Sequence, residues 1–140
     1  MYDDSLPLQT FPKSSDSNHY YWTKIRIEAT WHPIEVYVDS GSVYTVLHSK
    51  IAEGIGFNYL SGERIYLQVG DGSFIPVYLH DLEIQLGTER FVGRVGFSEK
   101  LGVAFNLLGR TSVFDRFKIC FLESQGILTF EPGKLGAEQG

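Results

Sequence analysis

The stretch Val36-Tyr37-Val38-Asp39-Ser40-Gly41-Ser42-Val43-Tyr44-Thr45-Val46-Leu47 runs from an apolar strand into a carboxylate, through a loop of small residues, and back into apolar sequence. An Asp followed by a hydroxyl residue and a glycine at a strand end sits on a tight loop, where the glycine permits close backbone approach. Two such loops can bring two carboxylates together. Like charges in contact resist double ionisation, so one acid keeps a proton while the other acts as base toward water. The competing reading of Asp39 is an Asx-turn residue that caps a strand end.

Upstream, Tyr20 to Ile27 alternates, with Trp22, Lys24 and Arg26 on one side and Thr23, Ile25 and Ile27 on the other. A turn at Pro33 and a second strand, Ile34 to Val38, would make a hairpin that delivers Asp39 at its end. Downstream, Arg64 to Val69 and Phe74 to Leu79 flank Gly70-Asp71-Gly72-Ser73, and Asp-Gly between apolar alternations predicts a projecting hairpin. Further pairs are Leu82 to Leu86 with Arg90 to Val95 through Gly87-Thr88, and Phe117 to Phe121 with Ile127 to Phe130 around Gln125-Gly126. Helical signal is weak: a turn or two around His48 to Ile55, stopped by Gly54 and Gly56, and a short helix past Gly109-Arg110 capped by Thr111 or Ser112. Phe105-Asn106-Leu107-Leu108-Gly109 echoes the first stretch, being another apolar strand that runs into a glycine. The pattern predicts an all-β domain with two similar halves.

At 140 residues and 43% hydrophobic, the chain suits one domain, 19–132, between polar tails 1–18 and 133–140 that bury little and are expected to be flexible. A net charge of -5 with twelve scattered Lys and Arg argues against a nucleic-acid partner. One cysteine, Cys120, excludes an internal disulfide and a multi-thiolate metal site, and His19, His32, His48 and His80 share no ligand-like spacing, so no metal and no cofactor are expected. No apolar run has membrane-spanning length and no hydrophobic signal core precedes Asn18, so the chain reads as cytoplasmic or as a soluble fragment of a larger protein.

The run Val38 to Leu47 resembles the active-site segment of retropepsin-like (retroviral-type) aspartic peptidases, in which an apolar strand, Asp-Thr/Ser-Gly-Ala/Ser and a later Thr-Val-Leu follow in that order. Asn106-Leu107-Leu108-Gly109-Arg110 resembles the second signature of that family, and the hairpin around Gly70-Asp71-Gly72 falls where the family carries a flap. The resemblance covers Tyr20 to Pro132, and three landmarks in order are more specific than one. It implies a closed-barrel-like retropepsin (acid protease) fold with one short C-terminal helix, in a symmetric homodimer that acts on a peptide or protein substrate. Asp39 would be the catalytic carboxylate, Ser40 the hydroxyl tying the two active-site loops together, and Gly41 a carbonyl facing substrate. The chain holds a single Asp-Ser/Thr-Gly, so the second carboxylate would come from a second copy. Val69, Gly70, Asp71, Gly72 and Ser73 would form the flap tip, while Gly109 and Arg110 would be structural, Arg110 through an ion pair.

The chain departs from that pattern in two places. Val43, with Tyr44 next to it, stands where viral members commonly carry an acid that pairs with the Arg of the second signature. Ser42 stands where many viral members have Ala, and a hydroxyl donating to the Asp39 carboxylate would favour its ionised form. The alternative reading is a catalytically weak or inactive module of the same fold that dimerises or binds peptides. For the Gly70-Asp71-Gly72 tip the alternative is an ordinary hairpin loop. Val46, Ile75 and Leu107 are the expected pocket residues, and Ile127 to Phe130 the candidate interface strand.

Overall fold

The computed structural model describes residues 9–12, 20–39, 41–101, 106–122 and 127–132. In order they form β1 (Gln9–Pro12), β2 (Tyr20–Ile27), β3 (Thr30–Val38), β4 (Thr45–His48), helix α1 (Ser49–Ile55), β5 (Glu63–Gln68), β6 (Phe74–Leu86), β7 (Glu89–Ser98), β8 (Asn106–Leu108), β9 (Phe117–Leu122) and β10 (Ile127–Pro132).

The alternation in β2 has the consequence read from it: Thr23, Ile25 and Ile27 are buried and Trp22, Lys24 and Arg26 are exposed. The turn into β3 is not at Pro33. It lies at Glu28-Ala29, both at positive φ (51° and 74°), the backbone that a two-residue hairpin requires. Pro33 sits inside β3 opposite Lys24. The Glu35 carbonyl accepts from Asn106 Nδ2 and so faces away from β2; Pro33, two residues earlier, presents the same edge, where its missing N–H costs the β2 ladder nothing.

Six strands close into a barrel in the order β2-β3-β8-β4-β7-β6, with β2 returning to β6 through Lys24↔Gln85, Ile25↔Ile84 and Arg26↔Glu83. The joins of β3 to β8 and of β4 to β7 are parallel. Ile25, Ile27, Val36, Leu47, Ile84, Leu86, Phe97 and Leu108 fill the interior with at most 1% exposure each. Removing such a side chain from water contributes roughly 1.5–3 kcal/mol apiece. The two apolar runs read separately as Phe74 to Leu79 and Leu82 to Leu86 are one strand, β6, because His80 and Asp81 continue the pairing with β7. Its first half leaves the barrel and carries β5 as a hairpin.

A second sheet, β1-β10-β9, joins the two ends of the chain. Segment 1–18, expected to be flexible, therefore contains a strand, paired Gln9↔Phe130 to Pro12↔Ile127. Its own composition carries no such signal, since the backbone partner is more than a hundred residues away in sequence. Both edges of β10 are taken by β9 and β1 of the same chain, and the Gln125-Gly126 turn lies outside the described residues. Phe117 and Phe130 pack edge-on at 5.9 Å and anchor this sheet to the barrel core.

Helix α1 forms where expected and stops at Gly56, whose φ of 86° suits a residue without Cβ. The short helix expected past Gly109-Arg110 does not form as such. Arg110–Phe114 is one distorted turn in which Thr111 is extended and Ser112 has φ 74°, and neither hydroxyl caps it. Its Arg110 and Thr111 N–H groups are drawn instead to carbonyls of the loop after Asp39.

Candidate active site

Asp39 follows the last residue of β3, and its N–H donates to the Leu108 carbonyl at 3.0 Å, which ties the strand end to β8. Its carbonyl accepts from Ser42 N at 3.0 Å and its Oδ1 accepts from Gly41 N at 2.9 Å. The Asx-turn geometry is thus present. It uses one carboxylate oxygen and, among the described residues, leaves Oδ2 without a hydrogen bond, so the side chain is both pinned and available. Asp39 is half-buried and Gly41 exposed; Ser40 lies outside the described residues. Ser42 does not donate to the carboxylate. Its Oγ donates to the Tyr44 carbonyl at 2.7 Å, while its N–H donates to the Asp39 carbonyl.

The parallel pairing Val36↔Asn106, Tyr37↔Leu107, Val38↔Leu108 sets the two echoing segments side by side. Gly109 consequently faces the loop that follows Asp39. A Cβ on Gly109 would stand 2.2 Å from the Tyr44 carbonyl oxygen and 2.8 Å from that of Ser42, so only glycine fits. Its N–H donates to the buried Thr45 Oγ1 at 3.1 Å, while Arg110 N donates to Ser42 O at 2.9 Å and Thr111 N to Val43 O at 2.8 Å. Three consecutive donors from one segment hold three positions of the other. Arg110 acts here through its backbone; its side chain is exposed and makes no ion pair among the described residues, against the expectation of a structural pair.

Two bracing residues were not assigned roles from sequence. Thr45 is fully buried and receives Gly109; Asn106 spans β3 and β4, donating to Glu35 O at 3.1 Å and accepting from His48 N at 2.9 Å. A hydroxyl inside the apolar run Tyr44-Thr45-Val46-Leu47 and an amide opening Asn106-Leu107-Leu108 were the available signals, because a polar side chain there must find a buried partner.

The residues Val69, Gly70, Asp71, Gly72 and Ser73 form the five-residue tip between β5 and β6. Val69 N donates to Ser73 O and Gly72 N to Val69 O, each at 2.8 Å, with Gly72 at φ 89°. Asp71 Oδ1 accepts from Ser73 Oγ at 2.6 Å and from Ser73 N at 2.9 Å; these bonds hold the exposed carboxyl below the usual aspartate range. Below the tip, Val46, Ile75, Val77, Leu79 and Leu101 form a second apolar cluster, with Tyr44, Ile65, Leu67, Val69 and Leu107 packed against it. The cluster contains all three expected pocket residues and joins the hairpin to the loop after Asp39.

No group of His, Cys, Asp and Glu with metal-holding geometry occurs among the described residues. His80 Nε2 bonds the Tyr59 carbonyl at 2.7 Å, and the His32 Nε2 is buried with no hydrogen-bond partner. A groove of about 450 Å³ between β3 and α1 includes neither Asp39 nor the hairpin tip. Among the described residues, no helix is long and apolar enough to cross a membrane.

The architecture is similar to two solved structures. One is a retropepsin-like aspartic protease from Rickettsia conorii, with a TM-score of 0.61 and 16% identity, covering 89% of this chain and 98% of that one. The other is EIAV protease complexed with the inhibitor HBY-793, with a TM-score of 0.50 and 16% identity, covering 69% of this chain and 86% of that one. No protein-family model and no curated protein matches the sequence. At this identity the likeness is one of fold.

Proposed function

We propose that this chain, which has the retropepsin-like fold, is an aspartic endopeptidase that hydrolyses peptide bonds with the two Asp39 carboxylates of a homodimer. The observation that carries the reading is the carboxylate itself: Asp39 has one oxygen held by Gly41 N at 2.9 Å and the other unbonded among the described residues, on a loop clamped by the Gly109 segment. One chain supplies one such acid, and a two-fold axis brings in the second. The pair shares a proton. The ionised carboxylate takes a proton from water as it attacks the peptide carbonyl carbon, and the protonated one supplies its proton to the developing oxyanion. Collapse of the tetrahedral intermediate, with a proton passed to the amine, then breaks the C–N bond.

In this reading the substrate is an extended peptide held by strand-like main-chain hydrogen bonds, with apolar side chains against Val46, Ile75 and Leu107, and the tip Val69 to Ser73 closes over it as a flap. Ser40 would brace the paired loops and the Gly41 carbonyl would meet substrate backbone.

The test compares wild type and Asp39→Asn on a peptide library at several protein concentrations. Cleavage should disappear in the variant, because an amide cannot act as the base, and wild-type activity per chain should fall on dilution. Full activity in Asp39→Asn would remove the proposal; full activity in a dilute monomer would remove the shared site. A second reading, a dimer that binds peptides without cutting them, is favoured by Tyr44, whose ring packs among the expected pocket residues. Binding without cleavage in the same library would select it.

A further inference from the structure

We infer that Asp71 gives this cleft a charge preference, favouring peptides with a Lys or Arg within reach of the hairpin tip and disfavouring Asp or Glu there. The inference rests on the proposed role of the hairpin as a cover over bound peptide. Its observations are local to this chain. Asp71 stands at the apex of the tip, exposed, and its carboxylate is fixed in place by the Ser73 hydroxyl at 2.6 Å and the Ser73 N–H at 2.9 Å. The backbone around it is closed by Gly72 N to Val69 O and Val69 N to Ser73 O, and Gln68 Nε2 adds a bond to the Gly72 carbonyl at 3.2 Å. A charge on so constrained a turn has a defined position.

The same two bonds from Ser73 keep that charge in place under acid conditions, in which a shared-proton dyad works. The inner side of the hairpin carries Ile65, Leu67, Val69, Ile75, Val77 and Leu79, and none of these apolar side chains can neutralise an anion. Arg64 is turned over the ring of the exposed Tyr66, 5.5 Å from its centroid, and Tyr66 lies on the hairpin face opposite this cluster. In a two-fold dimer each tip brings one Asp71, so a peptide would meet two fixed anions above and the shared Asp39 charge below.

The expected effect is a ratio of about three- to tenfold between matched Lys and Glu peptides, the range for unit charges 5–8 Å apart in a partly wet cleft. The experiment uses the full chain carrying Asp39→Asn, so that peptides bind without being cut. Three labelled peptides identical except for Lys, Gln or Glu two residues before the scissile bond are titrated by fluorescence anisotropy at ~50 and ~500 mM salt. Lys should bind best and Glu worst, with the ratio shrinking at high salt. Adding Asp71→Asn, which can still accept from Ser73, should bring the ratio to about one, and Asp71→Glu should restore part of it. A ratio unmoved by Asp71→Asn, or tightest binding of the Glu peptide, overturns the inference. Wild-type cleavage of the Gln peptide is scored separately: a charge preference without cleavage sinks the peptidase and keeps the inference, cleavage without a preference does the reverse, and no binding of any peptide overturns both.

Discussion

Replacing Gly109 by Ala should be among the most damaging single-atom changes in this chain. The φ of Gly109 is -105°, a conformation that alanine adopts freely, so the whole effect is steric. The added Cβ would lie 2.2 Å from Tyr44 O, 2.4 Å from Tyr44 C and 2.8 Å from Ser42 O, whereas ordinary contact begins near 3.4 Å. All three neighbours are backbone, so no side chain can rotate out of the way, and the loop must retreat by roughly 1 Å, as close packing leaves no slack. That retreat stretches the bonds from Gly109 N to Thr45 Oγ1, from Arg110 N to Ser42 O and from Thr111 N to Val43 O beyond useful length. Overpacking costs about 1–3 kcal/mol and each of the three lost hydrogen bonds about 0.5–1.5 kcal/mol, which together suggest about 3–7 kcal/mol. Against a total stability of about 5–15 kcal/mol, the variant should be largely destabilised. Urea unfolding followed by circular dichroism reads this as a fall in midpoint at unchanged slope, and any folded fraction should cleave poorly because Asp39 has moved with its loop. A midpoint change worth under about 1 kcal/mol with full activity would refute the claim that this contact positions the carboxylate.

The opposite sign is expected at Gly54 in α1, where nothing lies within 4 Å of a built Cβ: Gly54→Ala should stabilise by about 0.5–1 kcal/mol in the same assay. Ser42→Ala should cost about 1 kcal/mol through the lost bond to Tyr44 O and leave the pH profile of kcat/KM in place. A profile that shifts upward would show that the hydroxyl reaches Asp39 after all. Asp71 has its carboxyl held low, so the stability its bonds add to the tip is present above the ordinary aspartate range and lost as pH falls through the depressed value. A carbon-detected NMR titration should find Asp71 below the usual ~3.9, and Ser73→Ala should bring it back up; an ordinary value in the wild type would dissolve the tip geometry.

The legible parts of the fold are those in which neighbours in sequence are neighbours in space. The alternation of Tyr20 to Ile27, the Asp-Gly hairpin and the two-residue Gly87-Thr88 turn follow from periodicity and turn chemistry, and the strands stand where those signals put them. Where local chemistry was ambiguous the reading slipped. Proline punctuates chains, so local chemistry points to Pro33 for the turn, whereas Glu28-Ala29 adopts positive φ without any of the residues that advertise it. The helix expected after Arg110 gave way to one distorted turn because Thr111 is extended and Ser112 sits at φ 74°, which interrupts the run of helical backbone.

The sequence by itself determined that the chain is built from strands, that one apolar strand ends on Asp39 beside Gly41, and that a second apolar strand ends on Gly109. Side-chain period and glycine placement are local properties, and they suffice for that much. The tertiary structure decided how the two segments meet: β3 and β8 run parallel, β4 lies between β8 and β7, and β1 pairs with the far end of the chain. Parallel pairing needs a long crossover and leaves no signature at either strand, so only the closed barrel reveals that Gly109 packs on the Tyr44 carbonyl. The same long-range closure leaves Arg110 acting through its N–H, because hydrogen bonds go to whichever partners the folded backbone brings within 3 Å.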